Sequence, residues 1–198
     1  MTNAMMNTQL TITSLMKHAE RVNGGVEIVS VTADNPRHRC TYREAFARAR
    51  QLANALVSLG LKPGDTIATF AWNDYRHLEI YYGVSCSGMI CHTINPRLFP
   101  EQIEYIVNHG RDQWIFVDLT IVPLLEKLQH TMPDVKGFVV LTDAAHMPET
   151  SLRNAHCYDE LLAAESDEFN WPELDENTPS ALCYTSGTTG NPKGVMYT

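Results

Sequence analysis

The chain has 198 residues, 44% of them hydrophobic, with a formal net charge of −8 at pH 7; this suits one good-sized domain and excludes disorder over the whole length. The charge is uneven: no Lys or Arg lies between Arg153 and Lys193, and the eight acids in that gap, from Asp159 to Glu176, account for the whole excess. With no basic stripe to neutralise phosphates along a duplex, nucleic-acid binding is not expected, and the acidic segment reads as a solvated linker.

From the amino terminus, Met1 to Leu10 is polar, the first cation is Lys17, and no apolar stretch approaches a membrane span or a secretory signal. A cytoplasmic protein is expected. Thr11 to Arg21 predicts a helix with Ile12, Leu15, Met16 and Ala19 on one face. Val26 to Val31 reads as a strand, Ala33 to Pro36 as a turn, and His38 to Cys40 as the returning strand of a hairpin. The clearest helix comes next. Thr41 and Glu44 form a T-x-x-E capping box, and apolar residues recur at Tyr42, Ala45, Phe46, Ala49, Leu52, Ala53, Leu56 and Leu59. Gly60 suits the residue after the helix, and Pro63 prevents its continuation.

Thr66 to Ala71 is an apolar strand. Asn73 or Asp74 caps a helix from Tyr75 to about Met89, whose small residues Gly83, Ser85, Ser87 and Gly88 suit close packing on a sheet. Strand Ile90 to Ile94, helix from Pro100 to Gly110 with Ile103, Ile106 and Val107 inward, strand Trp114 to Val117, helix Ile121 to Leu128 and strand Gly137 to Leu141 follow in turn. Thr142 to Cys157 reads as loop, Tyr158 to Ala164 as a short helix, and Ser180 to Thr185 as a last apolar strand. Short, wholly apolar strands alternating with helices argue for an α/β fold, a parallel sheet flanked by helices.

The five cysteines form no C-x-x-C pair and read as reduced thiols. The eight histidines show no ligand spacing, so no zinc site is expected. His77 and His92 read as core or helix-surface histidines, Cys183 as a buried thiol, and Trp72, Trp114 and Trp171 as packing residues. Arg97 reads as a local cap or ion-pair partner.

One stretch carries chemistry. Residues 184–195 are Tyr-Thr-Ser-Gly-Thr-Thr-Gly-Asn-Pro-Lys-Gly-Val, entered from an apolar strand. Thr185, Ser186, Thr188 and Thr189 bring four hydroxyls within five positions. Gly187, Gly190 and Gly194 let the backbone approach a ligand, and Lys193 adds a positive charge. Successive N–H groups in such a loop make a nest for an anion, so the donor set suits a polyphosphate. The spacing matches neither a Walker A loop nor a dinucleotide fingerprint. The blander interpretation is a Gly/Thr-rich surface turn.

Position by position, this stretch resembles the phosphate-binding signature of the adenylate-forming superfamily. Thr41 to Glu44, Leu59 to Asp65 and Asn73 resemble its usual upstream text, and residues 90–110 resemble the medium-chain fatty acyl-CoA synthetase branch. The resemblance implies ATP and Mg2+ use and coenzyme A as co-substrate, with a carboxylic acid first joined to AMP and then passed to the thiol. It places Thr185, Ser186, Gly187, Thr188, Thr189, Gly190 and Lys193 on the ATP phosphates and assigns no catalytic residue here. It also implies an amino-terminal piece of the large domain: 1–40 as a helix-and-hairpin region and 41–198 as the α/β portion. The carboxyl-terminal domain and most of the acyl pocket would lie beyond residue 198, and the piece alone would not complete catalysis. The alternatives are a non-catalytic nucleotide-binding module and an aryl- or amino-acid-adenylating enzyme.

Overall fold

The computed structural model describes residues 8–185 and 190–198. Thr11 caps helix α1 (Ile12–Asn23) by accepting the Ser14 N–H on its hydroxyl. Strands β1 (Glu27–Ser30) and β2 (His38–Thr41) pair antiparallel, as the turn residues between them predict. Helix α2 (Tyr42–Ser58) opens with the expected reciprocal capping box: the Thr41 hydroxyl accepts from Glu44 N, and Glu44 Oε2 accepts from Thr41 N at 2.7 Å.

Then come β3 (Thr66–Phe70), α3 (Tyr75–Cys86, capped by Asp74), β4 (Ile90–Thr93), α4 (Pro100–Gly110), β5 (Asp112–Asp118), α5 (Val122–Leu128), β6 (Gly137–Leu141), β7 (Ala155–Cys157), α6 (Tyr158–Ala163), β8 (Ala181–Tyr184) and β9 (Gly194–Tyr197). Seven strands form one sheet in the order β7-β6-β5-β3-β4-β8-β9. Every pair is parallel except β8–β9, so the expected parallel sheet carries one antiparallel edge.

The order in which strands are added reverses at β3. The chain steps through α3 to β4 on one side, then crosses through α4 to β5 on the other. Helices α2, α3 and α6 cover one face, burying Leu52, Leu56, Ile80, Val84 and Leu162 against Ile67, Phe116 and Val139. Helices α4 and α5 cover the other with Ile103, Ile106, Val107 and Leu125 against Ala68, Ile115 and Val140. This two-faced covering is why the strands read as unbroken apolar runs.

Several expectations need correction. Leu15 is 59% exposed, because the packed stripe of α1 centres on Thr13 and Met16, about 100° round the helix. Of the small residues expected to pack on the sheet, Gly83 serves helix contact instead. A Cβ on Gly83 would meet Leu52 Cδ2 at 2.8 Å and the Ala49 carbonyl at 3.1 Å, both on α2. Helix α4 does end at Gly110 as expected, and Arg111 takes the left-handed conformation after it, at φ +56°. The stretch read as loop from Thr142 contains β7, and β9 lies within and beyond the glycine-rich stretch.

The acidic segment is not a free linker. Arg50, Gln51 and Asn54 on α2 donate to the backbone carbonyls of Asp167, Glu165, Ser166 and Glu168, strapping the segment down by its main chain. The side chains of Asp167, Glu168 and Glu173 remain exposed.

The hairpin, α2, α3 and α6 meet around a buried ionic cluster. Glu79 on α3 is completely buried and accepts from Arg48 Nε at 2.8 Å and from the Tyr158 hydroxyl at 2.9 Å. Arg48 also reaches Asp159 at 2.6 Å. Arg76 donates to both oxygens of Asp34 at 3.0 and 2.9 Å, to Asp159 at 3.2 Å and to the Leu141 carbonyl at 3.2 Å. Burial pushes the Glu79 carboxyl up to about 7 against the pull of Arg48. Burial pushes Asp34 the same way, but there the hydrogen bonds from Arg76 and Thr32 win and hold it well below the usual carboxylate range. Among the described residues, no helix is long and apolar enough to cross a membrane.

Candidate nucleotide-phosphate site

In parallel α/β sheets, ligands collect at the carboxyl ends of the strands, where the strand order reverses. Here that edge gathers the exits of β3, β4, β5 and β8. Strand β8 lies beside β4, with Cys91, His92 and Thr93 opposite Ala181, Leu182 and Cys183. It then turns back as β9, with Tyr184 opposite Gly194. The glycine-rich stretch is therefore the connection of a β-hairpin at the sheet's carboxyl edge. Two bonds close its mouth: Thr185 N donates to the Lys193 carbonyl at 3.0 Å, and Lys193 N donates to the Thr185 hydroxyl at 3.1 Å.

Of the predicted phosphate ligands, the structure thus brings Thr185 and Lys193 face to face. Gly190 lies in the same connection at φ +151°. Ser186, Gly187, Thr188 and Thr189 lie outside the described residues. Lys193 is exposed, and among the described residues its ammonium has no acidic partner. The neighbouring Pro192 is buried, which seats the returning strand. At Gly194 a Cβ would stand 3.0 Å from Leu182 Cδ1 and 3.2 Å from Tyr184 Cζ, so a side chain here would press both neighbours aside by a few tenths of an ångström.

Beside the root of the hairpin opens a cavity of about 360 Å3, with Thr93, Ile94, Asn95 and Leu98 on one wall and Cys183 to Thr185 on the other. Its mixture of apolar side chains and hydroxyls suits an organic ligand adjoining an anion. A second cleft, about 520 Å3, lies between the β1–β2 hairpin, α2 and α3 and is lined by the buried ionic cluster.

The root itself is supported from beneath. His92 and Asp112 are completely buried, with His92 Nδ1 at 2.8 and 3.0 Å from the two Asp112 oxygens. Burial raises the Asp112 carboxyl, opposed by His92. The Tyr184 ring lies 5.1 Å from the His92 ring, and its hydroxyl is 2.6 Å from His109 Nδ1. His77 is likewise buried, bonded to Thr69 at 3.0 Å and Asn73 at 3.2 Å, so both histidines occupy the core as expected.

Two expectations fail near the site. Cys183 is exposed rather than buried, because side chains alternate along β8 and Leu182 takes the inward direction. Trp72 is 40% exposed; its indole N–H donates to the Thr120 hydroxyl at 3.0 Å, and the Arg97 guanidinium lies 5.4 Å over its ring. Arg97 pairs with an aromatic face, not with an acid. The other cysteines are free and buried or half-buried, and burial pushes Cys40 and Cys86 up to about 11 and Cys91 to about 12, away from reactivity.

Known proteins fit this geometry. Residues 16–198 match the model of the AMP-binding enzyme family. The chain is 47% identical over 197 residues to a medium-chain-fatty-acid–CoA ligase of Ectopseudomonas oleovorans and 48% identical to a 3-methylmercaptopropionyl-CoA ligase of Ruegeria lacuscaerulensis. In both comparisons all of this chain is covered but only 36% of the relative, so it spans about a third of their length. Among solved structures, the anthranilate CoA ligase AuaEII in complex with anthranoyl-AMP superposes with a TM-score of 0.84 at 22% identity, over 96% of this chain and 35% of that one. That likeness establishes the fold. The chain belongs to the AMP-binding enzyme family.

Proposed function

We propose that the protein carrying this chain is an acid–thiol ligase that makes fatty acyl-CoA through an acyl-adenylate, and that the β8–β9 hairpin holds the ATP phosphates. The observation that carries the reading is Thr185 and Lys193 braced across one hairpin mouth at the sheet's carboxyl edge, beside a half-apolar cavity. The 47% identity to a medium-chain-fatty-acid–CoA ligase supports the substrate class.

In the first step a carboxylate oxygen attacks the α-phosphorus of ATP, and the bond to the bridging oxygen breaks. Pyrophosphate leaves with the electron pair. In the second step the coenzyme A thiolate attacks the acyl carbonyl and AMP leaves. Charge gathers on the β-phosphate as the first bond breaks, so a fixed ammonium and fixed N–H donors stabilise the transition state more than bound ATP. Lys193, Thr185 and Gly190 take that task together with Ser186, Gly187, Thr188 and Thr189. Residues 184–195 contain no carboxylate. Mg2+, which shields phosphate charge in such transfers, would therefore arrive with the nucleotide and find hydroxyl and carbonyl oxygens here, not anionic ligands.

A second reading of the substrate, a short thioether acid, has support in the name of the 48% relative. ATP–pyrophosphate exchange by the complete enzyme, measured across medium-chain fatty, thioether, aryl and amino acids, tests both. Exchange is expected with medium-chain acids. Exchange with amino acids alone overturns the fatty-acid reading, and no exchange with any acid supports a non-catalytic nucleotide-binding module.

A further inference from the structure

We propose that Tyr184 is a positioning residue for the ATP phosphates, holding the root of the hairpin in register through a tether to His109; this rests on the phosphate reading of the hairpin. Tyr184 is the last residue of β8, immediately before the connection 185–193. Its side chain is fixed from three directions. On one side its hydroxyl lies 2.6 Å from Nδ1 of His109, the penultimate residue of α4, with the two rings edge to face at 5.8 Å. Beneath it lies the His92 ring, itself locked to Asp112 in the core between β4 and β5. Across the hairpin it covers Gly194, where the missing side chain admits the phenol ring.

The ring therefore touches both strands of the hairpin while its polar end is tied to a helix on the face below. Burial pushes the Tyr184 phenol up to about 12, so its hydroxyl keeps its proton in neutral solution and stays hydrogen-bonded to His109 Nδ1 at 2.6 Å. His109 in turn stacks on Tyr105, one turn earlier in α4, at 5.3 Å. The series Asp112, His92, Tyr184, His109, Tyr105 runs from the core to the surface, and Tyr184 is its one member in the hairpin.

The physical consequence concerns binding more than chemistry. Groups ordered around a polyphosphate lose conformational freedom on binding. A root held in register before ATP arrives reduces that loss, which shows as tighter ATP binding. Lys193, which faces the leaving group, acts instead on the rate. Tyr184 touches no reacting atom in this scheme and acts through Thr185 and Gly194.

The test uses the complete enzyme that carries this chain. Tyr184→Phe keeps the ring and removes the hydroxyl; His109→Ala removes the partner from an exposed helix position, so one of the pair folds even if the other does not. One hydrogen bond of this kind is worth roughly a three- to tenfold change in equilibrium. The ATP KM in pyrophosphate exchange is expected to rise by about that factor in each variant, with kcat changing less than about twofold. The double variant is expected to be no worse than the worse single one, because both remove the same bond. Thioester formation from supplied acyl-adenylate is expected to stay unchanged. A tyrosine that merely braces the fold would lower the melting temperature and leave the ATP KM alone. That result, in an enzyme that Lys193→Ala slows, overturns the proposal. Exchange unaffected by Lys193→Ala overturns the phosphate reading of the hairpin, and the role of Tyr184 with it.

Discussion

The charged groups under the β1–β2 hairpin satisfy one another, whereas Thr185 and Lys193 of the β8–β9 hairpin are exposed and, among the described residues, the Lys193 ammonium has no acidic partner. Arg48, Arg76, Asp34, Glu79 and Asp159 form a connected set in which each charge has an opposite charge within hydrogen-bond distance. Around Thr185 and Lys193 the main-chain bonds close the hairpin mouth and leave the ammonium exposed. The same types of group thus do opposite work. Paired and buried, a guanidinium fixes how four elements meet. Exposed at a strand terminus, an ammonium is held in reserve for an anion. Charge is informative about function here only together with what already neutralises it.

The comparison breaks most readily at Arg76. Removing it strands Asp34 with half of its partners, leaves the Leu141 carbonyl short of a donor and frees the hairpin from α3. Loss of one member of a buried pair costs about 3–5 kcal/mol, so Arg76→Ala is expected to lose a large share of the roughly 5–15 kcal/mol by which a typical domain is stable. Urea unfolding of the 198-residue chain measures this. A loss below about 1 kcal/mol would show that the cluster is decorative. Arg76→Lys is expected to recover only part, since an ammonium cannot serve both Asp34 oxygens in parallel.

Lys193 is expected to behave in the reverse way. Lys193→Ala changes folding stability by less than about 0.5 kcal/mol, as for other exposed positions without partners. In the complete enzyme it slows adenylation by roughly thirty- to a thousandfold. The thioester step from supplied acyl-adenylate is little affected, because no pyrophosphate is present then. Single-turnover measurement of the two steps separates these outcomes, and equal losses in both would assign Lys193 to the domain arrangement.

This contrast was half legible in the sequence. Helix α2 could be read outright, since its cap and period come from local chemistry that no tertiary contact overrides. Strands β3 to β6 were legible because burial on both faces keeps most of each run apolar, with few polar residues such as Thr69 and His92 among them. Strand β7 has three residues, too few to show a period, and is held only by pairing with β6. Strand β9 was hidden because Gly194 to Tyr197 follows directly on a motif read for its chemistry. Arg76 and Glu79 gave no signal at all. Periodicity treats a charged residue as exposed, and only the approach of the hairpin and α6 shows that each has a buried partner. The hairpin donors were legible because glycines, hydroxyls and a lysine in succession mean much the same in any fold. The support given by Tyr184 and His109 was not, because the two lie 75 positions apart.

The last expected effect concerns Glu79, and it sharpens the first half of the comparison: a buried pair fixes geometry without adding net stability. A carboxyl whose ordinary value lies near 4.5 is pushed up to about 7 in the fold. The unfolded chain therefore gives up this proton more readily than the folded one. Between about pH 4.5 and 7 the folded state retains a proton that the unfolded state has lost. Each pH step then lowers stability, and above about 7 the cost is complete. At about 1.4 kcal/mol per pH unit, the window caps the change at about 3.5 kcal/mol. His38 and His77, both lowered first by burial, titrate in the same range with the opposite sign, so the pH profile of the natural chain alone is mixed. Subtracting Glu79→Gln removes them, because the amide keeps the shape, its oxygen can still accept from Arg48 while its NH2 donates to the Tyr158 oxygen in a reversed bond, and it cannot ionise. The stability of Glu79→Gln relative to the natural chain is expected to rise between pH 4.5 and 7 and to level off above. A difference that is flat, or that moves in favour of the natural chain as pH rises, would mean that Arg48 more than repays the burial of Glu79, and that the ionic cluster stabilises the fold outright.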